Sequence, residues 1–199
     1  MGIRYRICAV LAVLTVIFVA GPSFGFAATS IQILTPPGWV KVSLESIPTN
    51  DPSVPKSVLD LATDLAQEPT FKLVAYDPKA YKAQKSAVMY VQEIHFGQLS
   101  DPTEKGFLEG RGECYVKQAM GQDTTLVERR GFVTFGKFVE RLVMEFISTK
   151  RKIPIIETTY MFIHGNNLYQ VSFRVDKDTF TSYAPVFQGS LIGILKAIQ

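Results

Sequence analysis

Between residues 125 and 175 the chain sets down one strand-like run after another. Residues 125–134, 137–148, 153–164 and 168–175 alternate or run apolar, with turns between them. The clearest turn is His164-Gly165-Asn166-Asn167, a hairpin signal between the last two runs. Beyond it Tyr169, Val171, Phe173 and Val175 face one way, and Gln170, Ser172 and Arg174 the other. That pattern suits an antiparallel sheet with one side more buried than the other.

The flanking segments supply helices. Phe180, Tyr183, Ala184, Phe187, Leu191, Ile194 and Ile198 repeat with the helical period. Pro185 conflicts with a helix interior but not with a first turn, so the helix is predicted from Tyr183 with Ser182 as its N-cap, after a short turn at 177–180. Pro55 stands before Val58, Leu61, Ala62 and Leu65, an amphipathic helix that Pro69 stops. A third helix is predicted from a cap at Asp101-Pro102 to about Gly121. Its stripe of Leu108, Gly112, Tyr115 and Ala119 contains a glycine, which would let the helix axis lie close to a sheet.

Nearer the start, Ile31–Leu34 and Trp39–Val42 read as two short strands around a Pro-Pro-Gly turn. Residues 71–76 and 87–96 read as strands separated by a Lys-rich loop. The expected fold class is α+β, an antiparallel sheet with helices packed on its faces.

Residues 1–27 have a different character. Arg4 and Arg6 precede the uncharged apolar run Ile7–Ala20; Gly21-Pro22-Ser23 breaks it, and Gly25-Phe26-Ala27 offers small residues at a cleavage site. This is the order of a secretory signal, and the Gly-Pro break comes well short of the roughly 20 apolar residues a membrane span needs. Residues 28–199, free of repeats and long linkers, are expected to form a single domain. Without Arg4 and Arg6 the basic residues fall from 21 to 19 against 18 acidic ones, which gives no field for nucleic acid. Cys8 leaves with the signal and Cys114 stands alone, so no internal disulfide is expected; its ordinary reading is a buried small hydrophobe.

The Pro36-Pro37-Gly38-Trp39 turn, the hairpin running from Tyr160 through Gly165-Asn166-Asn167 to Phe173, and the sequel Phe180, Tyr183, Pro185, Phe187 together resemble the PsbP-like proteins and their bacterial relatives of the DcrB type. The resemblance spans most of residues 30–198 and is carried by turn and core residues. It implies an α/β/α sandwich around a central antiparallel sheet flanked by helices, in a protein that is exported and serves as an accessory or assembly factor for membrane complexes. The N-terminal extension and metal-binding side chains of the photosynthetic members have no match here. No functional residue transfers.

Chemistry is scarce. The two histidines are His95 and His164. The latter sits at a hairpin turn, where a solvated side chain is the ordinary reading. Glu93 and His95, at i and i+2 of one strand, share a face and are a candidate pair of metal ligands or an acid–base pair; a cross-strand polar pair is the plainer alternative. Gly110-Arg111-Gly112 lacks the rest of a phosphate loop, and Lys150-Arg151-Lys152 reads as a charged turn. Fourteen Phe, eight Tyr and one Trp are more suggestive, because Tyr160, Phe162, Tyr169 and Phe187 gather near the last hairpin and final helix. They read as core, or as the lining of an apolar groove.

Taken together, the residues lead to an exported, non-catalytic accessory or interaction protein of the cell envelope, periplasmic or extracellular. Its expected partner is an envelope protein or membrane complex, met through an apolar patch or a sheet edge. It would need no cofactor and would touch the membrane only through the signal segment. The alternative is a carrier or sensor of a small apolar ligand, and a third possibility is an enzyme using Glu93 and His95.

Overall fold

The computed structural model describes residues 31–47, 51–96, 103–120, 124–148 and 151–199. The expected signal segment, residues 1–27, lies outside the described residues. The four consecutive runs form β4 (Thr124–Thr134), β5 (Lys137–Ile147), β6 (Pro154–His164) and β7 (Asn167–Asp176), an antiparallel meander. Two tight turns hold its register. Phe135 and Gly136 both have positive φ, 49° and 70°, as a type I′ turn requires. Gly165, φ 58°, supplies the positive φ at the first position of the β6–β7 turn.

On the far side of β7 the sheet continues through β3 (Ala87–His95), β2 (Phe71–Tyr76) and β1 (Val40–Val42), giving a seven-stranded order β1-β2-β3-β7-β6-β5-β4. Every neighbouring pair is antiparallel. The edges are therefore β1, three residues long, and β4, eleven residues long.

Helices cover both faces. The final helix, α4 (Phe180–Ala197), packs Phe187, Leu191, Ile194 and Leu195 onto Met89, Val91, Tyr160, Phe162, Tyr169 and Phe173. On the opposite face α1 (Lys56–Ala66) buries Val58, Ala62 and Leu65 against Val74, Tyr76, Val88 and Tyr90. Beside it α3 (Glu104–Ala119) buries Leu108 against Leu142, Met161 and Leu168. The predicted α/β/α sandwich is observed.

Gly112 is buried where α3 lies against the sheet, as its stripe suggested. A Cβ there would meet Glu140 Oε1 at 3.1 Å and Glu140 Cγ at 3.3 Å.

Several local expectations are corrected. Ile31–Leu34 is not a strand. It runs as coil along α4, where Ser190 Oγ donates to Leu34 O at 3.2 Å and Ile31 and Ile33 add to the core. The Lys-rich loop contains a short helix, α2 (Pro78–Lys82), because Asp77 caps it by accepting from Lys79 N. Thr103 rather than Asp101 caps α3, its hydroxyl accepting from Gly106 N; residues 101, 102 and 121 lie outside the described residues.

α4 starts at Phe180, directly after a 3₁₀ turn at Lys177–Thr179, and carries Pro185 inside it. The missing N–H leaves the Thr181 carbonyl without its helical donor, and Thr181 is exposed, so Pro185 is tolerated where the freed carbonyl is not buried. Cys114 is free and exposed on α3 rather than buried.

Candidate functional site

The expected site residues fall into two places. Tyr160, Phe162, Tyr169 and Phe187 are 4%, 0%, 0% and 1% exposed. Tyr160, Phe162 and Tyr169, at alternate positions on β6 and β7, point at α4, which carries Phe187; Phe162 stacks on Tyr169 at 5.5 Å and Phe187 on Phe173 at 4.4 Å. These rings belong to the core, and a ligand would reach them only if α4 moved away. Trp39 closes the cluster edge-on to Phe173 and Tyr183.

Glu93 and His95 are brought together, through a third residue. Asn167 Nδ2 donates to Glu93 Oε1 at 2.6 Å while its Oδ1 lies 3.0 Å from His95 Nδ1, and Tyr169 OH donates to the same Glu93 oxygen at 2.9 Å. Asn167 is the register partner of His95, so this is the cross-strand polar arrangement that β3–β7 pairing permits. Among the described residues there is no group of three or more His, Cys, Asp or Glu side chains placed to hold a metal.

The strongest electrostatic feature escaped the sequence reading. Glu157 on β6 lies directly opposite Arg174 on β7, on the face carrying α1 and α3. Arg174 donates to Glu157 Oε2 from Nε at 2.9 Å and from Nη2 at 2.6 Å. Tyr90 of β3 donates to the same oxygen at 2.6 Å, and Tyr115 reaches down from α3 to Oε1 at 2.8 Å. The guanidinium also lies over the Tyr90 and Phe146 rings, 5.4 and 5.0 Å from their centroids.

Burial alone would push the Glu157 pKa up. The Arg174 charge and the hydrogen bonds from Tyr90, Arg174 and Tyr115 outweigh it, so the carboxyl is held below its ordinary value and stays ionised. Burial pulls the Arg174 guanidinium down, but Tyr90 and Glu157 more than offset that. Burial raises both tyrosines. A general base needs a raised pKa and a free lone pair facing substrate; Glu157 has a lowered one and accepts four hydrogen bonds from three residues. The cluster acts as a polar clamp tying α3 to the centre of the sheet. Its sequence signal was a lone Glu within Ile155-Ile156-Glu157-Thr158-Thr159, a charge in a strand too apolar to leave it unpaired.

Two more ion pairs close other corners. Arg129 Nε donates to buried Glu140 at 2.6 Å and its Nη2 to Glu109 O at 2.6 Å, holding α3 to β4. Arg151 donates to Asp176 through Nη1 at 2.8 Å and Nη2 at 2.7 Å, and also bonds Ser86. Arg151 thus lies in a charged turn, as expected, and its contacts make that turn an anchor; Lys150 lies outside the described residues.

What remains open is the backbone of β4. In a two-residue hairpin the flanking pair, here Thr134 and Lys137, is hydrogen-bonded, so the next residue turns its N–H and C=O outward and the alternation continues. Arg129, Gly131 and Val133 thus present their backbone groups to solvent, and among the described residues none of these groups finds a partner. A bulge at Val127, between the Leu126 and Glu128 pairings, interrupts the strand's first half. Val127 and Val133 are 54% and 71% exposed. A strand end of this length and exposure is a ready template for another strand.

No family model matches the sequence, and no curated protein matches it. Among the solved structures similar in shape are three of low identity. The solution structure of cyanobacterial PsbP (CyanoP) from Synechocystis is 12% identical, covers 89% of this chain and 96% of that one, and superposes with a TM-score of 0.46. LpqN, described as involved in cell envelope biogenesis of Mycobacterium tuberculosis, is 8% identical over 84% of this chain and 80% of its own, with a TM-score of 0.45. PA94, a Pseudomonas aeruginosa protein of unknown function, is 10% identical over 53% and 69%, with a TM-score of 0.43. These are likenesses of overall shape, and no statement about this chain's chemistry rests on them.

Proposed function

We propose that this chain is an exported, non-catalytic accessory protein of the cell envelope that works by holding a partner polypeptide, with the β4 edge as its docking strand. The observation that carries this reading is the open backbone row of Arg129, Gly131 and Val133 beside the exposed Val133 side chain. Main-chain pairing along such an edge supplies affinity, and alternate side chains supply selectivity. The opposite edge, β1, is too short for this.

The titratable groups support the same reading. Glu157, Glu93, Glu140 and Asp176 each accept hydrogen bonds from side chains of their own fold, and His95 lies against Asn167. The order of residues 1–27 supports export.

The test is site-specific photo-crosslinking in the source cells. A photoreactive residue at Val133 should give a discrete polypeptide adduct, and one at Lys56, on the outer face of α1, should give none. No adduct from Val133, or the same adduct from both positions, would overturn the assignment of β4 as the docking edge.

A further inference from the structure

We infer that the β4 edge is self-complementary and that its partner is a second copy of this chain, joined about a twofold axis at Gly131 into one sheet continuous across both copies. This deepens the proposed docking role of β4 and rests on it.

The phase of the edge limits the possible pairings. Outward-facing residues of an antiparallel pair must oppose outward-facing ones, so a symmetric partner can place its axis only through a residue of β4 facing its own copy. The stretch free of irregularity runs from Glu128, after the bulge, to Thr134, before the turn. Gly131 is its midpoint, so an axis there uses the whole stretch. It sets Glu128 opposite Thr134 of the second copy, Arg129 opposite Val133, and Arg130 opposite Phe132. The edge groups of Arg129, Gly131 and Val133 then form about six backbone hydrogen bonds between the copies.

The competing axes are worse. At Arg130 or at Arg129 a guanidinium would face its own copy about 5 Å away, and like charges directly opposite are destabilising. At Phe132 the overlap shrinks to the stretch from Arg130 to Thr134. With the axis at Gly131 no two like charges are directly opposed.

Side chains fit the same register. Gly131 is exposed and has no side chain, and the Phe138 ring of the neighbouring strand fills its place: a Cβ on Gly131 would meet Phe138 Cζ at 2.4 Å. The axis therefore passes through a flat stretch of backbone roofed on one face by the two Phe138 rings. On that face the exposed Val133 packs against the stem of Arg129 of the second copy, which in its own fold is already held by Glu140. On the other face exposed Arg130 lies across the Phe132 ring of the second copy.

The test measures sedimentation equilibrium of the protein as isolated, from roughly 1 to 300 µM, with hydrogen exchange at both ends of that range. The expected result is a monomer–dimer equilibrium in which the amides of Arg129, Gly131 and Val133 gain protection as concentration rises. Those of Arg130 and Phe132, bonded inward to β5, should be protected throughout. Val133→Pro removes an N–H that its own sheet does not use, so its circular dichroism should be unchanged while dimerisation weakens at least about tenfold. A protein monomeric at every concentration, or a dimer that Val133→Pro leaves intact, overturns the inference. If the protein is monomeric yet a crosslinker at Val133 captures a different polypeptide, self-pairing fails and the docking role stands. If it captures nothing, both fail.

Discussion

Replacing Glu157 by Gln is the sharpest probe of how this fold is held. The substitution keeps the side chain's shape and one carbonyl oxygen while removing the charge that Arg174, Tyr90 and Tyr115 all address. Removing one partner of a buried ion pair costs about 3–5 kcal/mol, because the other charge is left uncompensated. The Glu157 side chain is 4% exposed but that of Arg174 is 33%, so water recovers part of the loss and the lower end, about 3 kcal/mol, is expected.

For a domain of this size that corresponds to a fall in Tm of roughly 6–12 °C. Urea denaturation followed by circular dichroism reads the loss directly. Replacing both Glu157 and Arg174 by leucine should cost less than Glu157→Gln alone, since no orphan charge remains.

The acid limb gives a second readout. The folded Glu157 carboxyl is held below its ordinary value of 4.5, so as pH falls the unfolded chain takes up this proton first. Its stabilisation is complete above about pH 4.5 and is lost as pH drops through the lower folded value. Glu157→Gln should flatten that limb. A loss below about 1 kcal/mol, or a double variant weaker than the single one, would refute the clamp as described.

Three further outcomes follow from the geometry. Gly112→Leu should cost roughly 2–3 kcal/mol by forcing α3 off Glu140, seen as lost thermal stability together with faster exchange in α3. Arg151→Lys should not restore the two-pronged contact with the buried Asp176 carboxylate and should lower stability by about 1–2 kcal/mol, measured by urea titration. His164 is held below its ordinary value of 6.5 by burial and then by Lys137. The unfolded chain therefore binds this proton first as pH falls, so a small share of stability present above about pH 6.5 should fade below it, and His164→Gln should abolish that slope.

The strands and the main helices were legible because their signals are local. Alternation over 125–175, a glycine at a turn and a 3.6-residue apolar repeat each depend on residues within a few positions of one another. Apart from α2, each observed element therefore fell within a few residues of its expected bounds. Even the helix glycine at Gly112 declared its purpose, since a missing side chain on an apolar stripe means close approach. Where expectation failed, the surroundings decided: the coil at Ile31–Leu34 lies along α4, and Pro185 is tolerated because the carbonyl it leaves without a donor belongs to exposed Thr181. Cys114 faces solvent because the apolar side of α3 is the one that Leu108 and Gly112 occupy.

The sites separate along the same line. Glu93 and His95 were picked out from their shared face, but Asn167 between them comes from a strand more than seventy residues later. Tyr90 likewise reaches Glu157 only after β3 lands beside β7, while Glu157 meets Arg174 across the β6–β7 hairpin and Arg151 meets Asp176 from the turn before β6. The sequence by itself determined the elements, the antiparallel meander and the poverty of catalytic groups, because these depend on composition and short-range periodicity. Only the tertiary structure decided which charges are paired, that the aromatic cluster is closed beneath α4, and that β4 rather than β7 ends the sheet. Strand order is settled by long-range pairing, and a strand's own residues do not say whether a neighbour will lie on its other side.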